Sequence, residues 1–106
     1  MGRNEAIFRE VNERIVEVGA GLERNGAPGL ELELVCECSE ASCAGAVRAT
    51  TSDYEKVRSN AKHFIVLPTH LWNPEAEREV ARTSRFAVIE KVAEAAEVAA
   101  ETDPRR

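Results

Sequence analysis

The sequence predicts an α+β domain in which a long N-terminal helix packs on a small, mainly antiparallel sheet of three or four strands, with a zinc knuckle and short helices. Three patterns support this prediction: an apolar repeat at helical spacing, a strand-like alternation after it, and cysteines clustered directly behind that alternation. With 106 residues the chain fits one core, expected over residues 1–101, whereas residues 102–106 are expected to fray.

The first helix is predicted over residues 4–22. Its apolar residues recur every three or four positions and form one stripe, namely Ile7, Phe8, Val11, Ile15, Val18 and Leu22. Core packing is the favoured interpretation of this stripe, and docking of a partner helix is the alternative. Residues 25–29 end the helix, because glycine accepts a left-handed cap and proline cannot continue the hydrogen-bond ladder.

Three strands are predicted in the middle of the chain. Residues 30–36 alternate apolar and acidic side chains, as in a strand with one buried face, and this strand delivers Cys36 at its end. Residues 46–50 can return as its neighbour, and the apolar run 63–67, closed by Pro68, has the length of a buried strand.

A short helix is predicted between the second and third strands. Ser52 and Glu55 have the spacing of a capping box, which places a helix over residues 53–60. Tyr54 and Val57 would then face the core.

The C-terminal part is predicted with one ambiguity. Asn73, Pro74 and Glu75 are typical of a helix start, so a helix is expected to end near Arg82. Residues 85–91 are interpreted as a last strand, although residues 86–96 also have helical spacing. The alanine- and glutamate-rich stretch that follows has high helix propensity and little to bury, so it is expected as helix or tail.

Charge and composition argue against several functions. The net charge of −5 and the pI of about 5.1 disfavour nucleic acid, unless Lys56, Arg58 and Lys62 gather on one face. Membrane insertion is disfavoured as well, since no window approaches the roughly 20 apolar residues of a span. Because the N-terminus has no export signal, a cytoplasmic location with reduced thiols is expected.

Three thiols lie within eight residues, at Cys36, Cys38 and Cys43, which favours a metal over a disulfide framework. Zinc takes four ligands with Zn–S bonds of about 2.3 Å, so one ligand must come from elsewhere. His70 is the favoured fourth ligand because it follows a strand end. His63 opens the same strand, and both histidines cannot serve one ion.

A closed sphere of four protein ligands leaves no position for an activated water, so such a zinc would be structural. If His70 is not a ligand, water could take its place and Glu37 or Glu40 could act as a base. The remaining alternative is that the cysteines are small buried hydrophobes without a metal.

Several segments of the chain resemble a family of short, uncharacterised bacterial zinc-site proteins from high-GC genomes. These segments are residues 3–15, Cys36-Glu37-Cys38 with Cys43, residues 53–58, residues 64–70 and residues 88–91. The similar sequences tend to carry glycine where this chain has Ser39 and Thr69. The resemblance implies the same metal-ligand set and adds no activity.

The sequence therefore predicts a non-enzymatic bacterial zinc-binding regulatory or adaptor module that contacts another protein through helix 1 or the Trp72 region. A thiol- and zinc-based redox sensor is the alternative. A zinc-dependent hydrolase and a nucleic-acid-binding zinc finger rank below both.

Overall fold

The computed structural model describes residues 3–26, 29–38, 43, 45–69 and 75–105, and it confirms the α+β class. Its elements in chain order are α1 (Arg3–Arg24), β1 (Glu31–Val35), β2 (Ala46–Thr50), α2 (Thr51–Arg58), β3 (His63–Val66), β4 (Glu77–Arg82), β5 (Ala87–Lys91) and α3 (Ala93–Glu101). These strands form two antiparallel sheets, β1-β2 and β3-β5-β4, rather than one.

The long first helix is confirmed, but the expectation that its apolar stripe faces the core is wrong. Three polar residues of α1 are buried, Glu5, Arg9 and Asn12, together with Val16 and Gly19. Four members of the predicted stripe are instead exposed, by 39–66%: Ile7, Val11, Val18 and Leu22. The helix therefore buries two charged residues, Glu5 and Arg9, with the polar Asn12, and exposes an aliphatic stripe.

Hydrogen bonds explain why Arg9 can be buried. Its guanidinium donates to the carbonyls of Ala61 and Ala99, at 2.7 and 2.6 Å, and lies 4.3 Å from the centre of the Phe64 ring. The Lys91 ammonium lies 5.3 Å from the same ring centre. Two cations thus contact one buried aromatic ring, an attraction that strengthens when water is excluded.

The Lys91 ammonium is itself neutralised inside the protein. It forms ion pairs with Glu5 of α1 and Glu77 of β4, the latter at 2.9 Å. Because an unpaired buried charge is costly, these partners must stay together. The three side chains link α1 to β4 and β5 of the three-stranded sheet.

Gly19 brings α1 close to β1. A Cβ atom at this position would lie 2.9 and 3.0 Å from the two methyl carbons of Leu32. Glycine costs helix stability, and here it allows the helix backbone to approach the strand.

The short helix α2 begins two residues before its predicted start. Thr50, not Ser52, is its N-cap, and Asp53, not Glu55, supplies the carboxylate of the capping box. The burial of Tyr54 and Val57 is confirmed.

The helix predicted to begin at Pro74, with Asn73 as its cap, and to end near Arg82 is wrong. The residues Glu77–Arg82 form β4, an edge strand paired with β5, and only Glu77 of this strand is buried. Asn73 and Pro74, which suggested a helix start, lie outside the described residues. Cross-strand pairing with β5 outweighs the local capping signal, as tertiary contacts commonly do.

The ambiguity at the C-terminus resolves into a strand followed by a helix. Residues Ala87–Lys91 form the central strand β5, and α3 packs on the body through the small side chains of Ala95 and Ala99. The residues after α3 were expected to fray, yet Asp103 pairs with buried Arg58, and Arg105 contacts Glu13 and Glu55. In the described part of the chain, no helix is both long and apolar enough to span a membrane.

We predict that Asn12→Ala destabilises the fold far more than Val18→Ala does. Asn12 exchanges two hydrogen bonds of 2.7 Å with the backbone of Val35, and its loss leaves buried groups unpaired at a cost of about 3 kcal/mol. Val18 is 66% exposed within one chain, so in the monomeric protein its truncation should change the free energy of unfolding by less than about 0.5 kcal/mol. Urea denaturation measures both, and a larger effect at Val18 would contradict this orientation of α1.

Candidate metal centre

The three cysteines converge at one end of the β1-β2 hairpin. Cys36 directly follows β1, Cys38 lies two residues on, and Cys43 lies before β2. Their Sγ atoms all lie within 4.8 Å of one another. A tetrahedral ion with bonds of about 2.3 Å separates sulfur ligands by about 3.8 Å, so a small inward shift suffices to close on a metal. The three thiols could therefore hold one metal ion.

Two backbone amides contribute hydrogen bonds at the cluster, and one of them binds a sulfur atom. The Leu67 amide donates to Cys36 Sγ at 3.3 Å, and the Cys36 amide donates to the Gly45 carbonyl at 3.2 Å. A hydrogen bond to the charged form of a thiol favours that form. Such outer contacts also orient metal ligands. The chain just after β3 is thus held against the cluster.

Gly45 is a site residue that the sequence analysis did not identify. A Cβ atom here would clash with a methyl carbon of Leu67, lie 3.2 Å from its Cγ, and lie 3.6 Å from Cys43 Sγ. The absence of a side chain lets the cysteine loop and the end of β3 approach each other. The available sequence signal was the position of this glycine two residues after the last cysteine.

Glu37 lies between two cysteines and is fully buried. Its carboxylate accepts hydrogen bonds from Tyr54 Oη at 2.6 Å, Asn12 Nδ2 at 2.9 Å and the Ile65 amide at 3.0 Å. The Glu37 amide in turn donates to the Ile65 carbonyl at 2.8 Å. Burial raises the pKa of Glu37, and these hydrogen bonds oppose the increase. Its carboxylate joins α1, α2 and β3 behind the cysteines, a structural role in place of the catalytic base considered above. Glu40 lies outside the described residues.

Electrostatics would favour a cation at the cluster once its thiols are deprotonated. Burial raises the pKa of the Cys36 thiol far above its ordinary value, and Cys38 and Cys43 raise it further, while the Leu67 amide opposes them. Three neighbouring thiolates would repel one another strongly in this environment. A divalent cation removes that repulsion, so metal binding and loss of the thiol protons are coupled.

His63 is occupied elsewhere. Its Nε2 lies 2.8 Å from a carboxylate oxygen of Glu90, at the opposite end of β3 from the cysteines. His70 and Trp72 lie outside the described residues, so the fourth ligand and the Trp72 contact surface stay predictions. Arg58 is buried against Glu13 and Asp103, and it therefore adds nothing to a basic surface with Lys56 and Lys62.

Comparisons with known proteins give no match. No protein-family model, curated protein or solved structure is similar to the chain. The resemblance to bacterial zinc-site proteins stays a prediction.

We predict that metal affinity increases with pH across the neutral range. Thiols bind metals as thiolates, so binding must release protons, and the affinity should gain up to about tenfold per released proton and pH unit. Chelator competition at several pH values measures the slope, and calorimetry in buffers of different ionisation enthalpy counts the protons. A pH-independent affinity would contradict thiolate ligation.

For the metal-free protein we predict the opposite trend: its stability decreases as the pH rises. The Cys36 pKa is higher in the folded than in the unfolded chain, so this group stabilises the metal-free protein below its ordinary pKa of 9.0. That stability is lost as the pH rises above this value. Metal should remove the dependence, which serves as the control.

Proposed function

We propose that the protein is a non-enzymatic bacterial module whose fold is stabilised by one zinc ion and which acts, in a regulatory or adaptor role, through contacts with other proteins. The observation that carries the proposal is the convergence of Cys36, Cys38 and Cys43 within 4.8 Å. Sulfur donors select thiophilic ions, and zinc has no redox chemistry and accepts tetrahedral sulfur-rich sites.

His70 is the proposed fourth ligand. Leu67 has its amide 3.3 Å from Cys36 Sγ, and His70 follows three residues later. Three residues span at most about 10 Å, so an imidazole at this position is within reach of the ion. His63 fits less well, because its ring is paired with Glu90.

A structural rather than catalytic ion is supported by two features. Three thiolates and one imidazole close the coordination sphere, which leaves no place for an activated water. The neighbouring Glu37 also has both carboxylate oxygens hydrogen-bonded to protein donors, so it is not available as a general base. Zinc bound in this way contributes its binding free energy to folding.

The contact role is supported by α1. The side chains of Ile7, Val11, Val18 and Leu22 are 39–66% exposed, whereas the charged residues Glu5 and Arg9 of the same helix are buried. An aliphatic stripe on a solvent-facing helix is the feature that helix-docking interfaces use.

The reduced thiols of the proposed zinc site suit the cytoplasm, where we place the protein.

We predict that the protein, purified under reducing conditions, contains one zinc per chain. Replacement of Cys36, Cys38 or Cys43 by serine, or of His70 by alanine, should weaken zinc binding by more than the roughly 10–100-fold typical of an outer-contact change. His63→Ala is the matched control and should bind normally. Elemental analysis and chelator competition measure this, and X-ray absorption identifies the shell.

Two results would contradict the metal proposal. A metal-free preparation that is fully folded would show that the fold does not need zinc. Normal affinity in His70→Ala together with impaired affinity in His63→Ala would identify His63 instead of His70 as the fourth ligand.

A redox sensor is the second candidate, and the exposure of Cys43 favours it. Cys36 and Cys38 are buried, whereas Cys43 is half-buried and accessible to a small oxidant. Hydrogen peroxide can convert two of the thiolates into a disulfide, with reduction of the peroxide to water and release of zinc.

The sensor predicts that mild peroxide releases zinc with loss of two thiols per ion, and that dithiothreitol with added zinc reverses both changes. A zinc-responsive dye and a thiol titration measure the two quantities. Retention of zinc with unchanged circular dichroism would rule this candidate out and leave the structural role intact.

A further inference from the structure

The aliphatic stripe of α1 lies on the side of the helix that faces away from the body. Ile7, Val11, Val18 and Leu22 fall within about 60° of the helix circumference at 3.6 residues per turn. The buried Arg9 and Val16 lie on the opposite side. The stripe is therefore a narrow apolar surface with solvent in front of it along most of the helix.

The spacing of the apolar residues in the stripe is the same when the helix is read from either end. Its members are separated by four, seven and four residues, so a reversal of the helix about the point between Arg14 and Ile15 reproduces the pattern. In an antiparallel pair of α1 helices, the partners are then Ile7 with Leu22 and Val11 with Val18. The stripe is complementary to itself in this orientation.

A charged row decides the orientation. Glu10, Arg14 and Glu17 lie along one border of the stripe and are exposed, and the Arg14 guanidinium lies 3.9 Å from a carboxylate oxygen of Glu10. A two-fold axis between antiparallel helices brings this row beside the same row of the second copy. Arg14 then lies about 3 Å along the axis from Glu17 of the second copy, close enough to pair.

A parallel pair lacks this match. Its two-fold axis would bring the charged row against the other border of the stripe, which carries Phe8 and Ile15. Ile15 packs against the core cluster, so that border is apolar and adjoins the body of the protein. Charged side chains placed there would lose water without gaining a partner.

We propose that the protein forms a two-fold homodimer in which α1 packs antiparallel against α1 of a second copy through Ile7, Val11, Val18 and Leu22, with reciprocal Arg14–Glu17 pairs. The dimer rests on the proposed contact role of α1 and names its partner as a second copy. It does not depend on the zinc site.

The first test is the mass in solution. Sedimentation equilibrium of the zinc-loaded protein should give a dimer, and Val18→Glu should give a monomer. Val80→Glu is the matched control, since Val80 is 40% exposed but lies on β4, and it should remain dimeric. Val18→Ser repeats the test without a charge, and circular dichroism with zinc analysis verifies that each variant is folded.

The second test distinguishes antiparallel from parallel packing. Arg14→Glu places two acidic residues together at each contact, and Glu17→Arg places two basic residues together, so each variant alone should dimerise at least roughly tenfold more weakly. An equimolar mixture restores both pairs in a heterodimer and should recover the wild-type association. Only the antiparallel arrangement brings these two positions together.

Three results would overturn the dimer: a monomeric wild type at high concentration, a dimeric Val18→Glu variant, or a mixture that associates no better than its components. A monomeric protein that captures a different partner in a Val18-dependent way would remove the dimer but retain the contact role of α1. Normal zinc binding in a monomeric Val18→Glu variant separates both outcomes from failure of the metal site.

Discussion

Glu37 lies between two cysteines of the three-thiol cluster, and its carboxylate accepts hydrogen bonds from three parts of the fold. Asn12 reaches it from α1, Tyr54 from α2 and the Ile65 amide from β3. A buried carboxylate without such donors costs several kcal/mol, so these elements must assemble together. The backbone on either side of Glu37 is held by the same contacts, and this backbone carries Cys36 and Cys38. The geometry of the thiols is thus a product of the polar core.

Polar contacts also determine how α1 is oriented. Arg9 and Lys91 share the Phe64 ring, and Glu5 neutralises Lys91, so charge and hydrogen bonding hold the inward face of α1 in addition to the apolar packing of Val16. Buried ionic contacts are costly when incomplete, and they are therefore specific for one arrangement of the helix. Ile7, Val11, Val18 and Leu22 are left exposed on the opposite side. One inversion of the usual amphipathic pattern accounts for both the anchoring of the helix and its exposed stripe.

Much of the fold could be predicted from local patterns. The α+β class, the first helix, the strands around the cysteines and the burial of Tyr54 follow from periodicity and spacing, and the proximity of the thiols follows from their separation in sequence. The buried face of α1 could not be predicted, because its partners Ala61, Ala99 and Lys91 are distant in sequence. The strand β4 was missed for the same reason: its pairing with β5 is a tertiary contact, whereas the capping signal before it is local. Gly45 matters only through its approach to Leu67.

Tyr54 is the only tyrosine of the chain, and its phenol is completely buried against Glu37. Burial raises its pKa far above the ordinary value, and the Glu37 carboxylate raises it further. In alkaline solution Tyr54 therefore stays protonated and gives no phenolate absorbance while it is buried against Glu37. The phenolate absorbance develops only in molecules in which this buried contact has opened. The Tyr54 hydroxyl, which helps to position the thiols through Glu37, is therefore also an intrinsic optical probe of this contact. No label has to be introduced to observe it.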